Sequence, residues 1–288
     1  MADTERPPFE DLVAIVTGGG TSAGTAASIG EATSRLLARR GAKIVVGDIN
    51  GESANETVRR IAAEGGQAIA VVADLSQEGE CRRMIEQAMD RFGRLDVIVN
   101  NLGVSDGGSV LEIEEAAWDR SMAINLKSAL FLSKHGIPRM VAGGAIVNVS
   151  STAIDKPSSS VAYSASKGAV EALTKQIAVQ HGPDGVRCNA VRPGEAWTTM
   201  VERHFKTEEA AQRSRNARLR RTALLTEGDA WDIAEAIAFL GGPGARWITG
   251  QTLIVDGGST YVRSATDWTT RSPAPAGDRA RARGDTQA

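Results

Sequence analysis

Short apolar runs alternate with amphipathic stretches along most of the chain, and this alternation constrains the fold more than any other feature. The runs are nearly continuous in Val, Ile, Leu and Ala, which is typical of strands in a parallel sheet that is buried on both faces. They span residues 12–17, 43–48, 67–73, 95–100, 145–150, 186–191 and 251–256. We therefore predict a parallel sheet of about seven strands.

The stretches between the runs carry apolar residues at helical spacing, as residues 29–37 do. A repeated strand–helix–strand order predicts right-handed crossovers and a doubly wound α/β sheet of the Rossmann type, in a single domain. We assign residues 12–262 to this domain and 1–11 to an N-terminal arm. Residues 263–288 are rich in Pro, Ala, Gly and Arg, and we expect them to form a disordered or loosely docked tail.

The composition excludes several classes of partner. The 288 residues include 33 Lys plus Arg and 35 Asp plus Glu, which argues against nucleic-acid binding through bulk positive charge. The polar N-terminus lacks the apolar core of a signal peptide, and no window approaches the roughly 18 apolar residues of a membrane span. Cys81 and Cys188 form no C-x-x-C or metal-ligand motif. We expect a cytoplasmic protein that uses no metal and has no nucleic-acid or membrane partner.

The first predicted strand ends in a glycine-rich segment. Glycines between a first strand and a first helix let backbone N–H groups approach a pyrophosphate at the helix N-terminus. The spacing does not follow a regular G-x-G-x-x-G pattern. Ser28 and Glu31 are spaced as a capping box, which predicts that the helix begins at Ile29. Gly18 and Gly30 would then flank an enlarged loop.

An acidic residue stands at the end of the second predicted strand. Asp48 follows Gly30 by eighteen residues, close to the roughly 20 expected for the acid that binds the adenine ribose of a dinucleotide. A carboxylate at this position repels a 2′-phosphate, so NAD is favoured over NADP, and Glu31 adds to that preference. The alternative, that Asp48 caps the turn after the strand, is compatible with the same role.

Tyr163 and Lys167 lie four residues apart, which places both side chains on one face of a helix. A tyrosine ordinarily loses its proton near pH ~10, and a nearby positive charge lowers that pKa. A tyrosine tuned toward neutrality can act as a general acid or base. The pair alone is weak evidence, because Y-x-x-x-K occurs by chance in many helices, and the other motifs decide its meaning.

Eight sequence motifs follow one another in a fixed order. They are the TG-rich loop, Asp74 in ADLS, NNLG at 100–103, Asn125 in AINLKSALF, VSS at 149–151, YSASK at 163–167, RPG at 192–194 with Thr198, and ITGQTLIVDGG at 248–258. Through these motifs the chain resembles the short-chain dehydrogenase/reductase family over roughly residues 12–262. Each motif is weak alone, but eight in order make chance implausible.

The resemblance implies a catalytic role for four residues. Tyr163 would be the general acid/base, and Lys167 would lower the pKa of the phenol and hold the nicotinamide ribose. A serine at the end of the fifth strand would bind the substrate oxygen. Asn125 would hold a water molecule in a proton relay.

The resemblance also places residues around the cofactor. Asp74 and Asn101 would border the adenine side, and Pro193, Gly194 and Thr198 the nicotinamide side. The full set of predicted cofactor-binding residues is Gly18, Ile29, Gly30, Asp48, Ile49, Asp74, Leu75, Asn101, Gly103, Tyr163, Lys167, Pro193, Gly194, Ala196 and Thr198.

The chain departs from the family pattern at three places. The glycine-rich loop is about six residues longer than usual, with Ser28 where the middle glycine is expected. Leu102 replaces the alanine of the usual NNAG, which requires local repacking beneath the adenine. The segment from serine to tyrosine is one residue short, so counting back from Tyr163 gives Ser150, whereas the strand pattern gives Ser151. We predict Ser151 as the catalytic serine, because loops absorb deletions more readily than strand ends.

The resemblance implies that residues 195–226, which we call the lid segment, cover the substrate. The segment carries seven cationic side chains, namely Arg203, Lys206, Arg213, Arg215, Arg218, Arg220 and Arg221. They indicate either a cationic lid over an anionic substrate or a solvated helical face, and we favour the solvated face. Trp197, Met200 and Phe205 are the predicted lining of an apolar pocket over Ser151 and Tyr163.

Together these features predict NAD-dependent oxidation of a secondary alcohol, or reduction of the corresponding ketone. An NADPH-dependent 3-oxoacyl reductase is the alternative enzyme, and Asp48 argues against it. A nucleotide-binding scaffold without turnover is the alternative of a different class, and the complete Asn, Ser, Tyr and Lys set argues against it. The resemblance further implies a homo-oligomer, which we expect to be a tetramer.

Overall fold

A computed structural model of the chain describes residues 7–21, 25–156 and 160–262. The predicted tail at 263–288, residues 1–6 of the predicted arm and residues 22–24 of the enlarged loop lie outside the described residues. Within the described ranges, no helix combines the length and the apolar character needed to cross a membrane.

The described residues form one parallel sheet of seven strands in the order β3-β2-β1-β4-β5-β6-β7. The strands are β1 (Val13–Thr17), β2 (Lys43–Asp48), β3 (Gln67–Val72), β4 (Leu95–Asn100), β5 (Met140–Val149), β6 (Arg187–Pro193) and β7 (Thr252–Val255). The predicted doubly wound α/β fold is therefore confirmed. The strand order reverses between β1 and β4, which is where sheets of this kind bind ligands at the carboxyl ends of their strands.

Nine α-helices connect these strands in the described part of the chain. They are α1 (Ile29–Arg39), α2 (Gly51–Ala63), α3 (Glu78–Phe92), α4 (Glu115–Met122), α5 (Ser128–Gly136), α6 (Val161–His181), α7 (Thr199–Glu202), α8 (Glu208–Leu219) and α9 (Ala230–Gly241). A π-helical turn, Ala123–Lys127, joins α4 to α5. The helices α7 and α8 belong to the lid segment.

Hydrophobic cores lie on both faces of the sheet, because successive strand residues point to opposite faces. Ala14 and Val16 of β1 pack in one core together with Leu37 of α1 and Ile237 of α9. Ile15 between them packs in the other core, with residues of α3, α5 and α6. Burial on both faces explains why the strands read as continuous apolar runs.

The strand β5 begins at Met140, five residues before the predicted start at 145. The two glycines Gly143 and Gly144 interrupt the apolar run, so the sequence pattern stops there. In the structure the ladder to β4 continues across an irregularity, with Met140 opposite Leu95 and Ala145 opposite Val97. Gly143 has a φ of 95°, a conformation that favours glycine.

The described part of the predicted N-terminal arm is packed against the domain. Phe9 is buried in the core that contains α1 and α9. Its backbone N–H donates to the Arg40 carbonyl at 3.0 Å. A Cβ atom added to Gly242 would lie 3.1 Å from the Phe9 ring, so this glycine makes room for the aromatic side chain.

Candidate active site

A cavity of about 670 Å³ lies at the carboxyl ends of the central strands and beneath the lid segment. It collects residues from five strand ends that are far apart in sequence, those of β1, β2, β4, β5 and β6, as the switch point predicts. The predicted site residues that line it are Gly18, Ile29, Asp48, Asn101, Gly103, Ser151, Tyr163, Lys167, Pro193, Gly194, Ala196 and Thr198.

Several predicted site residues do not line this cavity. Ile49 is largely exposed, and Leu75 is buried in the core on the α3 face of the sheet. The Asp74 carboxylate accepts hydrogen bonds from the backbone N–H and the hydroxyl of Ser76. Gly30 is also absent from the lining, but it packs directly against the turn at Gly18, where a Cβ on Gly30 would lie 2.0 Å from the Gly18 carbonyl oxygen. Gly30 therefore permits the close approach of α1 to β1.

The helix α1 begins where the sequence predicts. Ser28 is the N-cap, and its hydroxyl accepts a hydrogen bond from the Glu31 N–H at 3.0 Å. Ser28 and Ile29 both line the cavity, so the first turn of an 11-residue helix faces it. A helix N-terminus in this position favours an anion such as a pyrophosphate.

The Asp48 carboxylate faces the glycine-rich loop. One oxygen accepts the Gly20 N–H and the other accepts the Asn50 N–H, both at 3.0 Å. Asp48 thus makes the turn contact and also lines the cavity, and its contact with an adenine ribose stays a prediction.

Glu31 does not behave as predicted. Its carboxylate pairs with Arg60 at 2.7 Å and with Arg35 at 3.2 Å, and the side chain is buried. Glu31 does not line the cavity, and the two arginines compensate its charge. Glu31 therefore gives no support to the predicted preference for NAD. The capping box is likewise incomplete, because the Glu31 side chain bonds these arginines while only Ser28 caps the helix.

Asn101 connects the ends of β4 and β1 at the switch point. Its side-chain amide donates to the carbonyl oxygens of Thr17 and Gly18, and its backbone N–H donates to the Thr17 hydroxyl. Leu102 lines the cavity next to Gly18, where a Cβ on the glycine would lie 3.2 Å from the Leu102 side chain. The larger residue therefore fits beside a glycine whose φ of 59° already favours glycine.

Tyr163 and Lys167 lie one turn apart on α6, as the spacing predicts, and the Lys167 Nζ is 5.8 Å from the centre of the Tyr163 ring. Burial raises the pKa of the Tyr163 phenol, and a hydrogen bond to Ser151 acts in the opposite direction. The net direction is opposite to the predicted one, because burial outweighs the effect of the hydrogen bond to Ser151.

The Lys167 ammonium is almost completely buried. It donates to the Val149 carbonyl at 2.8 Å and to the Leu102 carbonyl at 3.0 Å. Burial lowers the pKa of Lys167 to about 8. Gly103 lies next to the ammonium, where a Cβ would approach the Nζ to 3.2 Å. The lysine therefore joins the ends of β4 and β5 at the floor of the cavity.

Ser150 and Ser151 have different partners. The Ser150 hydroxyl is buried and donates to the Glu171 carboxylate at 2.7 Å. The Ser151 hydroxyl is hydrogen-bonded to Tyr163 and accepts the Ala153 N–H at 3.1 Å. This geometry agrees with the choice of Ser151 made from the strand pattern.

Comparisons with known proteins identify the family of the chain. A family model described as enoyl-(acyl carrier protein) reductase matches residues 24–260. The chain is 38% identical over 284 residues to a probable short-chain type dehydrogenase/reductase of Bradyrhizobium diazoefficiens, a match covering 95% of this chain and 97% of the relative. The chain belongs to the short-chain dehydrogenase/reductase family.

Two further relatives carry functional names. The chain is 39% identical over 261 residues to cis-4-hydroxycyclohexanecarboxylate dehydrogenase of Sinomonas cyclohexanicum, with 88% of this chain and 98% of that protein covered. It is 35% identical over 258 residues to 7α-hydroxysteroid dehydrogenase of Bacteroides fragilis, with 88% and 95% covered. Among solved structures, a short-chain type dehydrogenase/reductase of Mycobacterium ulcerans matches with a TM-score of 0.80 at 28% identity, covering 89% and 92%.

In this short-chain dehydrogenase/reductase, Asn125 lies in the π-helical turn and is buried. Its side-chain amide donates to the Val104 carbonyl and to the Ser166 hydroxyl at 2.9 Å, and its oxygen accepts the Val104 N–H at 2.8 Å. Asn125 does not line the cavity. Its side chain therefore fixes the loop after β4 against α6, and the predicted water relay stays a prediction.

The aromatic residues of the lid segment do not line the cavity as predicted. Trp197 is buried and stacks on Phe205 with ring centres 5.7 Å apart, while the Arg215 guanidinium lies 4.4 Å from the Trp197 ring centre. Of the three predicted lining residues, only Met200 reaches the cavity. A tryptophan needs a large apolar surface to pack against, and here the lid segment itself supplies it.

The interpretation of the lid arginines as a solvated face is incomplete, because three of them also border the cavity: Arg203 and Arg221 are exposed, and Arg218 is partly buried. Arg203, Arg218 and Arg221 line the cavity. The sequence reasoning also missed Lys156 and Glu195, which line it as well. Glu195 could have been found, because it directly follows the predicted nicotinamide-side pair Pro193 and Gly194. Nothing local in the sequence singles out Lys156.

The glycine-rich loop is tied to the lid segment, which the sequence did not predict. The Glu202 carboxylate of α7 accepts the backbone N–H groups of Thr25 and Ala26 at 3.0 Å and the Thr25 hydroxyl at 2.5 Å. In return, the Thr199 hydroxyl donates to the Ala26 carbonyl and its N–H to the Ala27 carbonyl. We call these contacts the loop–lid connection.

The cysteines take no part in the site. Cys81 and Cys188 are buried free thiols, and burial raises the pKa of each to about 12. The described ranges contain no group of three or more His, Cys, Asp or Glu residues placed to hold a metal ion.

Proposed function

We propose that this protein is an NAD-dependent dehydrogenase that oxidises a secondary alcohol, or reduces the corresponding ketone. The observation that carries the proposal is the meeting of Tyr163, Ser151 and Lys167 at one cavity that also includes the glycine-rich loop and the N-terminus of α1. Tyr163 and Ser151 are hydrogen-bonded, so a substrate oxygen placed between them has one proton-transfer partner and one hydrogen-bond partner.

The residues present fit a nicotinamide dinucleotide. The first turn of α1 presents Ser28 and Ile29 to the cavity and suits a pyrophosphate. Asp48 would bind the adenine ribose hydroxyls, and Pro193 and Gly194 would border the nicotinamide. Lys167 lines the cavity beside Tyr163 and would hold the nicotinamide ribose there, and a Cβ on Gly103 would crowd its Nζ at 3.2 Å.

The proton transfer follows from the geometry of the side chains. In the oxidation, the Tyr163 phenolate takes the hydroxyl proton while Ser151 donates a hydrogen bond to the substrate oxygen. The chemistry supplied by a bound nicotinamide is acceptance of the hydride from the same carbon. The charge of Lys167, together with that of the oxidised cofactor, would oppose the effect of burial and lower the pKa of Tyr163.

The preference for NAD rests on Asp48. Its carboxylate lines the cavity at the end of β2 and is hydrogen-bonded to the glycine-rich loop, so a 2′-phosphate there would meet a fixed negative charge. This argues against the alternative NADPH-dependent 3-oxoacyl reductase.

The names of two relatives support the substrate class. Cis-4-hydroxycyclohexanecarboxylate dehydrogenase and 7α-hydroxysteroid dehydrogenase are both named for a secondary alcohol on a ring carbon. We extend that class of alcohol to this chain.

We also propose a homotetramer in the cytoplasm. Large apolar side chains are exposed on several elements, namely Trp118 on α4, Leu130 on α5, Val179 on α6, Leu253 on β7, and Tyr261. Exposed apolar surface of this kind favours association. Light scattering of the purified protein tests the assembly, and a monomer at micromolar concentration would contradict it.

The test of the function is an activity screen over secondary alcohols and ketones, with NADH formation or consumption followed by absorbance and NADPH compared in parallel. Wild type should turn over members of the panel, and Tyr163→Phe should lose at least about 100-fold in kcat, a magnitude typical of a general acid/base. Wild-type protein that binds NAD but turns over nothing would support the scaffold alternative instead.

A further inference from the structure

Positive charge is concentrated at one end of the cavity. Among the residues that line it, Lys156, Arg203, Arg218 and Arg221 are cationic, and Glu195 is the carboxylate that shares their end. The other two charged lining residues, Asp48 and Lys167, are engaged by backbone groups as described above. Four cations against one carboxylate leave a net positive charge at this end.

The Glu195 carboxylate accepts hydrogen bonds from two arginines. Arg221 binds it with two contacts at 2.8 and 3.1 Å, whereas Arg218 makes one long contact of 3.4 Å. The Arg218 Nε atom is buried and has no hydrogen-bond partner among the described residues. Burial, and to a smaller degree the charge of Arg221, lower the pKa of Arg218, while Glu195 raises it. The arginine pair is therefore undercompensated, and a second anion would stabilise it.

The neighbouring lid arginine Arg215 does not line the cavity, although its Nε is also buried without a hydrogen-bond partner among the described residues. Arg215 pairs with Glu227 at 3.1 Å and lies over the Trp197 ring. Arg213, on the same helix α8, is exposed and does not line the cavity. The cavity-facing arginines are thus a distinct subset of the lid segment, and Arg213 offers a matched control.

The cationic end lies beside the predicted position of the substrate oxygen. A Cβ on Gly194, the residue before Glu195, would lie 2.7 Å from the Thr152 hydroxyl, and Thr152 directly follows Ser151. Asp48, in contrast, ends β2, which is separated from β6 by β1, β4 and β5. Four strand spacings amount to roughly 19 Å. An anion held at Glu195 is therefore far from the ribose that Asp48 would bind.

We propose that the substrate is a secondary alcohol that carries a carboxylate, and that Arg221 and Arg218 bind this carboxylate beside Glu195. The inference rests on the proposed function, since it assigns the substrate class of the same site. Arg203 and Lys156, whose ammonium donates to the Ser259 carbonyl, also line the cavity, and Arg221 keeps about half of its side chain exposed beside its contacts to Glu195. A guanidinium pair suits a carboxylate because each can donate two parallel hydrogen bonds.

The test compares matched substrates on the full-length protein with NAD. The pairs are 4-hydroxycyclohexanecarboxylate and 3-hydroxybutyrate, each against its methyl ester. We expect kcat/KM for the acid to exceed that for the ester by about tenfold or more, the size of a hydrogen bond to a charged group. Arg221→Gln should remove most of this preference by raising KM for the acid, with the ester little changed, and Arg213→Gln should preserve it.

Two outcomes separate this inference from the proposed function. If esters and acids are turned over equally, or if Arg213→Gln and Arg221→Gln behave alike, the carboxylate site is overturned and the dehydrogenase proposal stands. If no alcohol is turned over with NAD or NADP, the dehydrogenase proposal is overturned. Calorimetry with cyclohexanecarboxylate and cyclohexanecarboxamide then tests the carboxylate site directly. Selective binding of the carboxylate, lost in Arg221→Gln, supports the site. Equal binding of the carboxylate and the carboxamide overturns it.

Discussion

The Ser150 hydroxyl lies 2.7 Å from the Glu171 carboxylate, which is held on its other side by Arg192 at 2.7 and 2.5 Å. Ser150 therefore belongs to a buried polar network that joins β5, α6 and β6. Ser151, the next residue, is bonded to Tyr163 instead. Both serines line the cavity, but their hydroxyl groups have different partners.

The two serines should separate stability from activity. Ser150→Ala removes one donor from a buried carboxylate and should lower the free energy of unfolding by about 1–3 kcal/mol, with kcat within about twofold of wild type. Ser151→Ala should lower kcat by about 100-fold, as loss of a donor to a reacting oxygen does, with little change in stability. Urea denaturation and steady-state kinetics measure both effects. The reverse pattern would assign catalysis to Ser150.

The ionisation of Tyr163 should depend on the cofactor. Because burial raises its pKa, the phenol in cofactor-free protein should ionise only above its ordinary pKa of about 10. Bound NAD should lower this pKa through its positive charge, so alcohol oxidation should speed up as pH rises. The chain has two tyrosines, so tyrosinate absorbance in a Tyr261→Phe background reports Tyr163 alone. Ionisation near neutral pH without cofactor would contradict the prediction.

The charge of Asp48 should set the cofactor preference. Asp48→Asn keeps one of the two acceptors for the Gly20 and Asn50 N–H groups and removes the repulsion of a 2′-phosphate, so the ratio of kcat/KM for NADP to that for NAD should rise about tenfold or more. Asp184→Asn makes the same charge change on an exposed residue at the end of α6 and should leave the ratio unchanged. Equal ratios in wild type, Asp48→Asn and Asp184→Asn would show that Asp48 does not discriminate between NAD and NADP.

The loop–lid connection should affect cofactor binding. Glu202→Ala removes three hydrogen bonds to Thr25 and Ala26, so the glycine-rich loop should be held less firmly and KM for NAD should rise about threefold to tenfold. The KM for NAD of Glu202→Gln, which keeps one acceptor, should lie between the values of wild type and Glu202→Ala. Glu209→Gln, at the exposed start of α8, is the matched control. An unchanged KM in Glu202→Ala would mean that the loop keeps its conformation without the lid segment.

The parts of this structure that depend on local sequence were predictable. The seven strands are set by apolar runs, and the start of α1 follows from Ser28 at the N-cap. Tyr163 and Lys167 share a helix face because their spacing of four residues fixes it. The choice of Ser151 over Ser150 also came from a local pattern, the regular end of a strand.

The errors concern contacts between residues that are distant in sequence. Glu31 was assigned to the cofactor, but its partner Arg60 lies on the next helix, 29 residues away. Trp197 was assigned to the pocket, but the stacking of Phe205 and Arg215 draws it into the lid segment. The direction in which Arg218 and Arg221 point depends on Glu195, across a segment with weak periodicity. Such pairings have no signature in local spacing or propensity.

The loop–lid connection also bears on how two ligands influence each other. Thr25 and Ala26 precede the turn of α1 that would face a pyrophosphate, while residues of α7 line the same cavity. A ligand that stabilises one side of the connection should stabilise the other, and such coupling is reciprocal: each ligand raises the affinity for its partner by the same factor. Cofactor and substrate should accordingly bind synergistically.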